Sequence, residues 1–501
     1  MLIGHLLSLI LFLPTIAALF MIFLPADRPR MLRLFAFFTS LLPFVLTLIL
    51  WGRFDSQIQG YQFVENTPWY PAIGSSYHLG VDGLSLPMVL LTTLLVPLSI
   101  LASTTIKTHQ KSFLMLFLFL ETGLLGVFLS LDLLLFFVFW EIGLIPMYFI
   151  INQWGGENRN YASLKFILYT MAGSLGLLLA IQMMGAASGT FDLIKLTSTW
   201  PDTSPLPLFG LSPATVKAVA FWAFVLAFAI KVPVWPFHTW LPDAHTEAPT
   251  PGSMILAGVL LKLGAYGFLR LVLPLFPTES HQFAGWLAVL AAISIVFGAL
   301  GAYGQNDFKR LVAYSSVNHM GFVVLGVAAA AMAAGTQHAI IAVNGAVMQM
   351  FNHGLSAAGM FFLVGVLYER AHTRDLTRFG GLWSILPVYG GVLMFTAMAS
   401  LGLPGLGGFV SEFLVVRGAW AVYPLATALS MIGLFFTGVY ILKALKMVLQ
   451  GPLNEEWNSK LTEIRLDELV IMVPLMVLML VNGIWPAWLL EMINKAAMAV
   501  F

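Results

Sequence analysis

The chain has 501 residues, of which 59% are hydrophobic and only 9% charged, with a formal net charge of +1. Soluble domains carry about a quarter charged residues, so this composition, with a mean hydropathy of +0.90, describes a polytopic membrane protein and argues against a nucleic-acid partner. The lack of cysteine excludes disulfides, iron–sulfur ligation by this chain and a thiolate zinc site.

Apolar segments of spanning length recur from end to end. The first, MLIGHLLSLILFLPTIAALFMIFLP, has no basic start and no small-residue cleavage site, and reads as a retained helix and not a signal peptide. About 14 spans are expected, near 2–25, 31–52, 84–104, 112–130, 132–151, 161–186, 215–239, 252–274, 284–303, 309–331, 337–368, 383–418, 422–449 and 468–493. No soluble domain is expected; the longest polar-leaning stretches are 53–83 and 187–214.

The basic residues set the orientation. Sixteen fall on one side of these spans, among them Arg28, Arg30, Arg33, Lys107, Lys111, Arg159, Lys165, Lys309, Arg310 and Lys443. Only Arg53, Lys195, Lys217, Arg417 and Lys495 fall on the other, with Lys231, Lys262 and Arg270 inside the membrane. The positive-inside rule then places both termini outside, as an even number of spans requires.

Two helices read as broken. The seventh contains Lys231-Val-Pro233-Val-Trp-Pro236, and the twelfth contains Gly402-Leu-Pro404-Gly405-Leu-Gly407-Gly408. Proline removes a donor and clashes with the preceding turn, and glycine relaxes the helix further. Within a membrane such breaks persist only where protein or trapped water satisfies the freed backbone. Each break lies within ten residues of a charge, Lys231 or Glu412. Paired breaks point to an internal repeat and an ion path, with repeats of five helices near 112–274 and 284–449.

Four charges stand in apolar surroundings: Glu141, Lys231, Lys262 and Glu412. At about 2.5–3.5 kcal/mol each, they would cost roughly 10–14 kcal/mol unpaired. Glu141 is either a protonated carboxyl hydrogen-bonded at a helix interface or half of an ion pair with Lys231. A cation about 5–6 Å away restores roughly 3 kcal/mol at an effective dielectric near 20, so opening the pair would decide whether Lys231 keeps its proton. Lys262 lies about ten residues into its helix and cannot easily reach the interface; it is either tied to a carbonyl of a broken helix or part of a path. Glu412 either neutralises a half-helix terminus or ends that path. His319 and His353, on adjacent helices, are packing residues or a relay suited to neutral pH. Glu121 is a further membrane carboxylate without a nearby cation, and Asp132 belongs at an interface turn.

The connector 237–253 holds His238, Asp243, His245 and Glu247, but its prolines deny a helical metal-binding face, and a hydrated polar entrance or rigid connector fits better than a metal. The loop with Arg370, Arg374, Asp375 and Arg378 either holds a neighbouring chain or reflects positive-inside bias alone.

The segments FWEIGLIPMYF, KVPVWPFHTWLPDAHTEAPTPGSMILAGVLLKLGAYGFLR, LVAYSSVNHMGFV and GLPGLGGFVSEF are similar to the antiporter-like membrane subunits of respiratory complex I. Within that family the chain resembles the M type: it lacks a long lateral helix, carries SYHLGVDGLSLPMVLLT before its third span, and has Glu412 where L-type and N-type members carry lysine. The resemblance implies an all-α polytopic fold with two inverted five-helix repeats and the seventh and twelfth helices broken. It divides the chain into residues 1–108 (helices 1–3), 109–280 (first repeat), 281–450 (second repeat) and 451–501 (a loop and the last helix). It assigns Glu141 and Lys231 to a coupling pair, Lys262 to a central lysine, Glu412 to the terminal acid, and His319 and His353 to the polar chain between them. It implies proton pumping driven by electron transfer from NADH to quinone, with FMN, iron–sulfur clusters and quinone held by other subunits and no cofactor or metal in this chain. L-type and N-type chains and the lipid bilayer of a bacterial inner membrane would be its partners. A subunit of a multisubunit sodium/proton antiporter, of a membrane-bound hydrogenase, or a structural spacer between pumps are the alternatives, and Glu412 argues against the first.

Overall fold

The computed structural model describes residues 2–205, 207 and 210–500. Residues 206, 208 and 209 of the polar stretch, and residues 1 and 501 of the first and last divisions, lie outside the described residues. Two helices, α1 (Leu6–Met21) and α2 (Pro29–Arg53), precede a β-hairpin, β1 (Gln62–Tyr70) and β2 (Ser75–Val81). Helices α3 (Ser85–Leu101), α4 (Gln110–Leu129), α5 (Leu133–Trp154), α6 (Arg159–Ser188) and α7 (Pro213–Lys231) follow. After them come α8 (Thr250–Leu275), α9 (Pro277–Tyr303), α10 (Phe308–Met332) and α11 (Gln337–Ala371). The chain ends with α12 (Pro387–Leu401), α13 (Gly407–Trp420), α14 (Pro424–Leu449), α15 (Leu466–Ile484) and α16 (Ala487–Met498). Among the described residues, 12 helices are long and apolar enough to cross a membrane, and α1 and α12 are shorter apolar helices.

Local chemistry explains many boundaries. Proline opens α2, α7, α9, α12 and α14, where its missing N–H would be unpaired in any case. Asp132 caps α5 by accepting from the N–H groups of Leu134 (2.9 Å) and Leu135 (3.0 Å), which is the interface role expected of it. Both expected breaks are present. Helix α7 stops at Lys231, and a short helix resumes only at Trp240–Glu247, with Pro242 in its first turn. The twelfth span divides into α12 and α13 around Gly402–Leu406. The last span is shorter than expected because Trp485-Pro486 separates α15 from α16.

The expectation of an all-helical chain needs one addition. The stretch 53–83 contains an antiparallel hairpin pairing Asn66 with His78 and Thr67 with Tyr77. Its strands are short, mixed in polarity and stabilised by remote groups rather than by an apolar face of their own. Glu65 on β1 accepts from the N–H groups of Leu7 (2.8 Å) and Ser8 (3.2 Å), capping α1. Ser75 and Ser76 bond Asp132, and His78 pairs with Asp192 at 3.2 Å.

Burial separates a centre from a rim. The apolar windows of α8 and α11 are 100% buried and those of α3 and α10 89%, against 28% for α2 and 33% for α14 and α15. The centre is closed at the hairpin end by Arg270 on α8, which reaches Asp82 before α3, Tyr266 (3.0 Å) and Tyr61 (2.9 Å). Breaking one side of a buried pair strands the other charge. Arg270→Leu is therefore expected to destabilise the protein by about 3–5 kcal/mol, read as a lower midpoint of thermal unfolding in detergent. The double substitution Asp82→Leu/Arg270→Leu should recover part of that loss.

Candidate functional site

Lys262 sits at the middle of the buried centre, and two features of α8 accommodate it. The turn Leu256–Leu260 is a widened π turn, and its Ala257 carbonyl accepts from the Lys262 ammonium at 2.6 Å. The same ammonium lies 2.7 Å from Nδ1 of His353 on α11. With Lys262 charged, its ammonium only donates, so His353 accepts at Nδ1 and carries its proton on Nε2. From there it donates to the Ser316 hydroxyl on α10 at 3.2 Å. Ser316 and His319 are three residues apart on one face of α10, and the rings of His319 and His353 are 5.6 Å apart.

His319 leads to Glu412. Its Nδ1 lies 2.8 Å from Glu412 Oε1, and its Nε2 lies 3.3 Å from the Tyr440 hydroxyl on α14. Gln349 on α11 donates to the same carboxylate oxygen at 2.9 Å, and its own carbonyl accepts from Ser411. Four of the six expected residues thus fall in two hydrogen-bonded segments, Lys262–His353–Ser316 and His319–Glu412, which face each other across the 5.6 Å between the two histidine rings. Ser316, Gln349, Ser411 and Tyr440 escaped the sequence reading. Serines, a glutamine and a tyrosine on helices have many other uses; the available signals were the one-turn spacing of Ser316 and Gln349 from the two histidines and the place of Ser411 beside Glu412.

No hydrogen bond joins the Lys231 ammonium to Glu141 among the described residues. The Lys231 ammonium stands 4.8 Å from the Trp140 ring centroid, held there by a cation–π attraction, and it has no hydrogen-bond partner among the described residues. The indole is fixed by its bond to Ser174 at 3.0 Å. Glu141, half-buried on the next residue of α5, is the opposite charge whose field reaches Lys231. The Trp140 face thus lies beside the ammonium. Lys231 meets α8 through Gly264, where an added Cβ would lie 2.7 Å from the Phe228 carbonyl oxygen and 2.9 Å from Lys231 Cβ. Only glycine permits that approach two residues beyond Lys262.

Other expected polar residues take separate places. Asp243 pairs with Lys165 (2.7 Å) and Arg310 (3.2 Å), and Glu247 accepts from the Asn158 N–H (3.0 Å). His245 stacks on Phe361 with ring centroids 4.2 Å apart. These bonds make the connector a rigid one. A cleft of about 250 Å³ at the same end is lined by Glu247, Ala248, Lys309, Glu369 and Arg374. The arginine loop bonds within the chain: Arg370 to Glu468 (2.7 Å), Arg374 to Asp307 (3.0 Å) and Arg378 to Glu456 (2.7 Å). Glu121 is fully buried, with both carboxylate oxygens lacking a partner among the described residues.

A family model described as NADH:quinone oxidoreductase/Mrp antiporter, TM, matches residues 130–437, and one described as NADH-ubiquinone oxidoreductase chain 4, amino terminus, matches residues 8–127. The chain is 40% identical to the NADH-quinone oxidoreductase subunit M of Rickettsia conorii over 493 residues, covering 97% of each chain. It is 40% identical to the subunit M of Rhodobacter capsulatus over 500 residues, covering 98% of this chain and 95% of that one. Its fold resembles a chain of respiratory complex I from Thermus thermophilus, with a TM-score of 0.86, 30% identity and 99% coverage of both. A chain of the Mrp complex from Dietzia shares the fold with a TM-score of 0.83 at 21% identity, covering 99% of this chain and 97% of that one. Overpacking a closed interface costs about 1–3 kcal/mol, so Gly264→Val should force α7 and α8 apart beside Lys231. A lower thermal midpoint without loss of membrane insertion is the expected measurement.

Proposed function

Because this chain belongs to the NADH:quinone oxidoreductase/Mrp antiporter family of membrane subunits, in its subunit M branch, we propose that it is a proton-translocating subunit of a complex I membrane arm. Electron transfer from NADH to quinone takes place in other subunits, which hold the FMN, the iron–sulfur clusters and the quinone. The observation that carries this reading is the route Lys262–His353–Ser316 and His319–Glu412, every member of which is buried.

In this reading, charge reorganisation along the arm changes the field of Glu141 at Lys231. When that field weakens, desolvation favours the neutral amine, and the Lys231 proton passes through water to the Lys262 region. A proton given by Lys262 to His353 Nδ1 releases the one on Nε2 toward Ser316, so the imidazole relays without turning. Water carries the proton across the gap from Ser316 to His319, which hands it to Glu412, whose carboxylate receives the proton or passes its charge onward. The cleft beside Glu247 and Lys309 serves as the entrance from the basic side.

The finer assignments follow from the same reading. Residues 109–280 and 281–450 are two inverted repeats, each with one broken helix. The chain crosses a bacterial inner membrane 14 times, with its basic loops in the cytoplasm and both termini outside. Its neighbours are the L-type and N-type subunits.

Lys262→Ala in assembled complex is the first test, with donor:quinone activity and the proton gradient measured together in membrane vesicles. Removing a positioned proton-transfer group is expected to lower coupled pumping about 100-fold or more. Wild-type electron transfer and wild-type pumping would sink the proton-path reading and leave a structural spacer in its place.

A further inference from the structure

The Glu412 carboxylate is the end of the route, and its position depends on the chain break five residues before it. That break is gripped from the last long helix. Asn482 on α15, which is completely buried, donates to Asn352 Oδ1 at 2.7 Å. Asn352, beside His353 on α11, donates in turn to the Gly407 carbonyl at 2.8 Å. At the other end, the Trp488 indole N–H on α16 donates to Asn482 Oδ1 at 3.1 Å. An indole N–H can only donate and a carbonyl can only accept, so the two ends fix the orientation of both amides. The chain has one polarity: indole, Asn482, Asn352, Gly407 carbonyl.

The neighbouring backbone adds a second grip. Gly483 packs directly on the break, and a Cβ there would lie 2.1 Å from the Gly405 carbonyl oxygen and 2.3 Å from Leu406 Cα. Trp488 is itself wedged against Trp51 of α2, with ring centroids 5.2 Å apart, and against Phe351 of α11, at 6.2 Å. A second asparagine pair, Asn344 to Asn494 at 2.8 Å, fastens α16 to α11. None of these side chains hydrogen-bonds to Glu412, His319 or Lys262; their bonds converge on Gly407, where α13 begins.

We propose that Asn482, Gly483 and Trp488 form a latch that positions the α12–α13 break and thereby sets the Glu412 carboxylate against His319 and Gln349. They are positioning residues for the proton route, and the proposal rests on the reading of Glu412 given above. The latch also makes α16, at the hairpin end, mechanically continuous with the acid at the end of the route. A displacement of α16 that pulls on Trp488 is transmitted through two amides to the Gly407 carbonyl.

Asn482→Asp is the decisive variant, because it keeps the shape and replaces a donor by an acceptor facing Asn352 Oδ1. Trp488→Phe removes the indole N–H with its five-membered ring and keeps an aromatic ring between Trp51 and Phe351. Both are made in the full complex, with proton pumping measured in vesicles and the carboxyl band of Glu412 followed by infrared difference spectroscopy. The band is assigned by its loss in Glu412→Gln. Both variants are expected to lower pumping about two- to tenfold and to displace the Glu412 band, since its hydrogen bonds change. If Asn482→Asp prevents assembly, Trp488→Phe carries the same comparison. An unmoved band in Trp488→Phe, whether or not pumping falls, would overturn the latch, because a merely structural defect leaves the carboxyl environment alone. If Glu412→Gln removes no band, the proton-path role of Glu412 fails, and the latch proposal fails with it.

Discussion

A polar group in an apolar interior must find a partner, and this constraint governs the whole molecule. It is most acute at Lys262, at the centre of the buried α8. No interface lies within reach of its side chain, so its ammonium is held by a carbonyl of its own π turn and by a histidine from α11. Both helices must therefore run through the middle of the bundle, with α3 and α10 around them. The same requirement orders the polar residues into a line, because each new partner is itself a polar group that needs another. Lys262 requires His353, His353 finds Ser316, and Glu412 is held by His319 and Gln349. A proton route is what such a line becomes when its members can exchange protons.

The two broken helices obey the same rule on the backbone. At the first break, the Ile230 carbonyl accepts from the Trp240 indole at 2.8 Å, and the Trp235 N–H is taken by Ser294 at 2.8 Å. At the second, the Gly407 carbonyl is taken by Asn352. The partners come from other helices or from beyond the break, so each break is held by tertiary structure. A helix interrupted in this way can shift without unfolding, since its freed groups move with their partners. The charges beside the breaks, Lys231 before the first and Glu412 after the second, sit next to those tertiary contacts.

Much of this organisation is legible in the sequence because membrane segments speak strongly. Length and apolarity mark the spans, and proline with glycine marks the two breaks. A charge within an apolar run is conspicuous at once, and Lys231, Lys262, Glu141 and Glu412 were all visible on that ground. The hairpin was not, because the stretch 53–83 has no strong alternation and its strands are held by Glu65, Asp132 and Asp192 contacts made across long distances in sequence. The π turns of α8 were not, because a run of leucine, glycine and alanine is compatible with regular helix. Asn352, Asn482 and Gln349 passed unnoticed, since an amide within a span has no charge to attract attention.

The sequence by itself determined the class of the protein, the places where helices cross or break, and which charges lie in apolar surroundings. These depend on transfer free energies and backbone chemistry that act residue by residue. Only the tertiary structure decided which charges meet. It joined Lys262 to His353 and His319 to Glu412, and it set the Lys231 ammonium on the Trp140 face. The physical reason is that hydrogen bonds and close charge contacts act over a few ångströms, whereas the residues involved lie 90 or more positions apart in the first two cases. Helix packing alone converts one scale into the other.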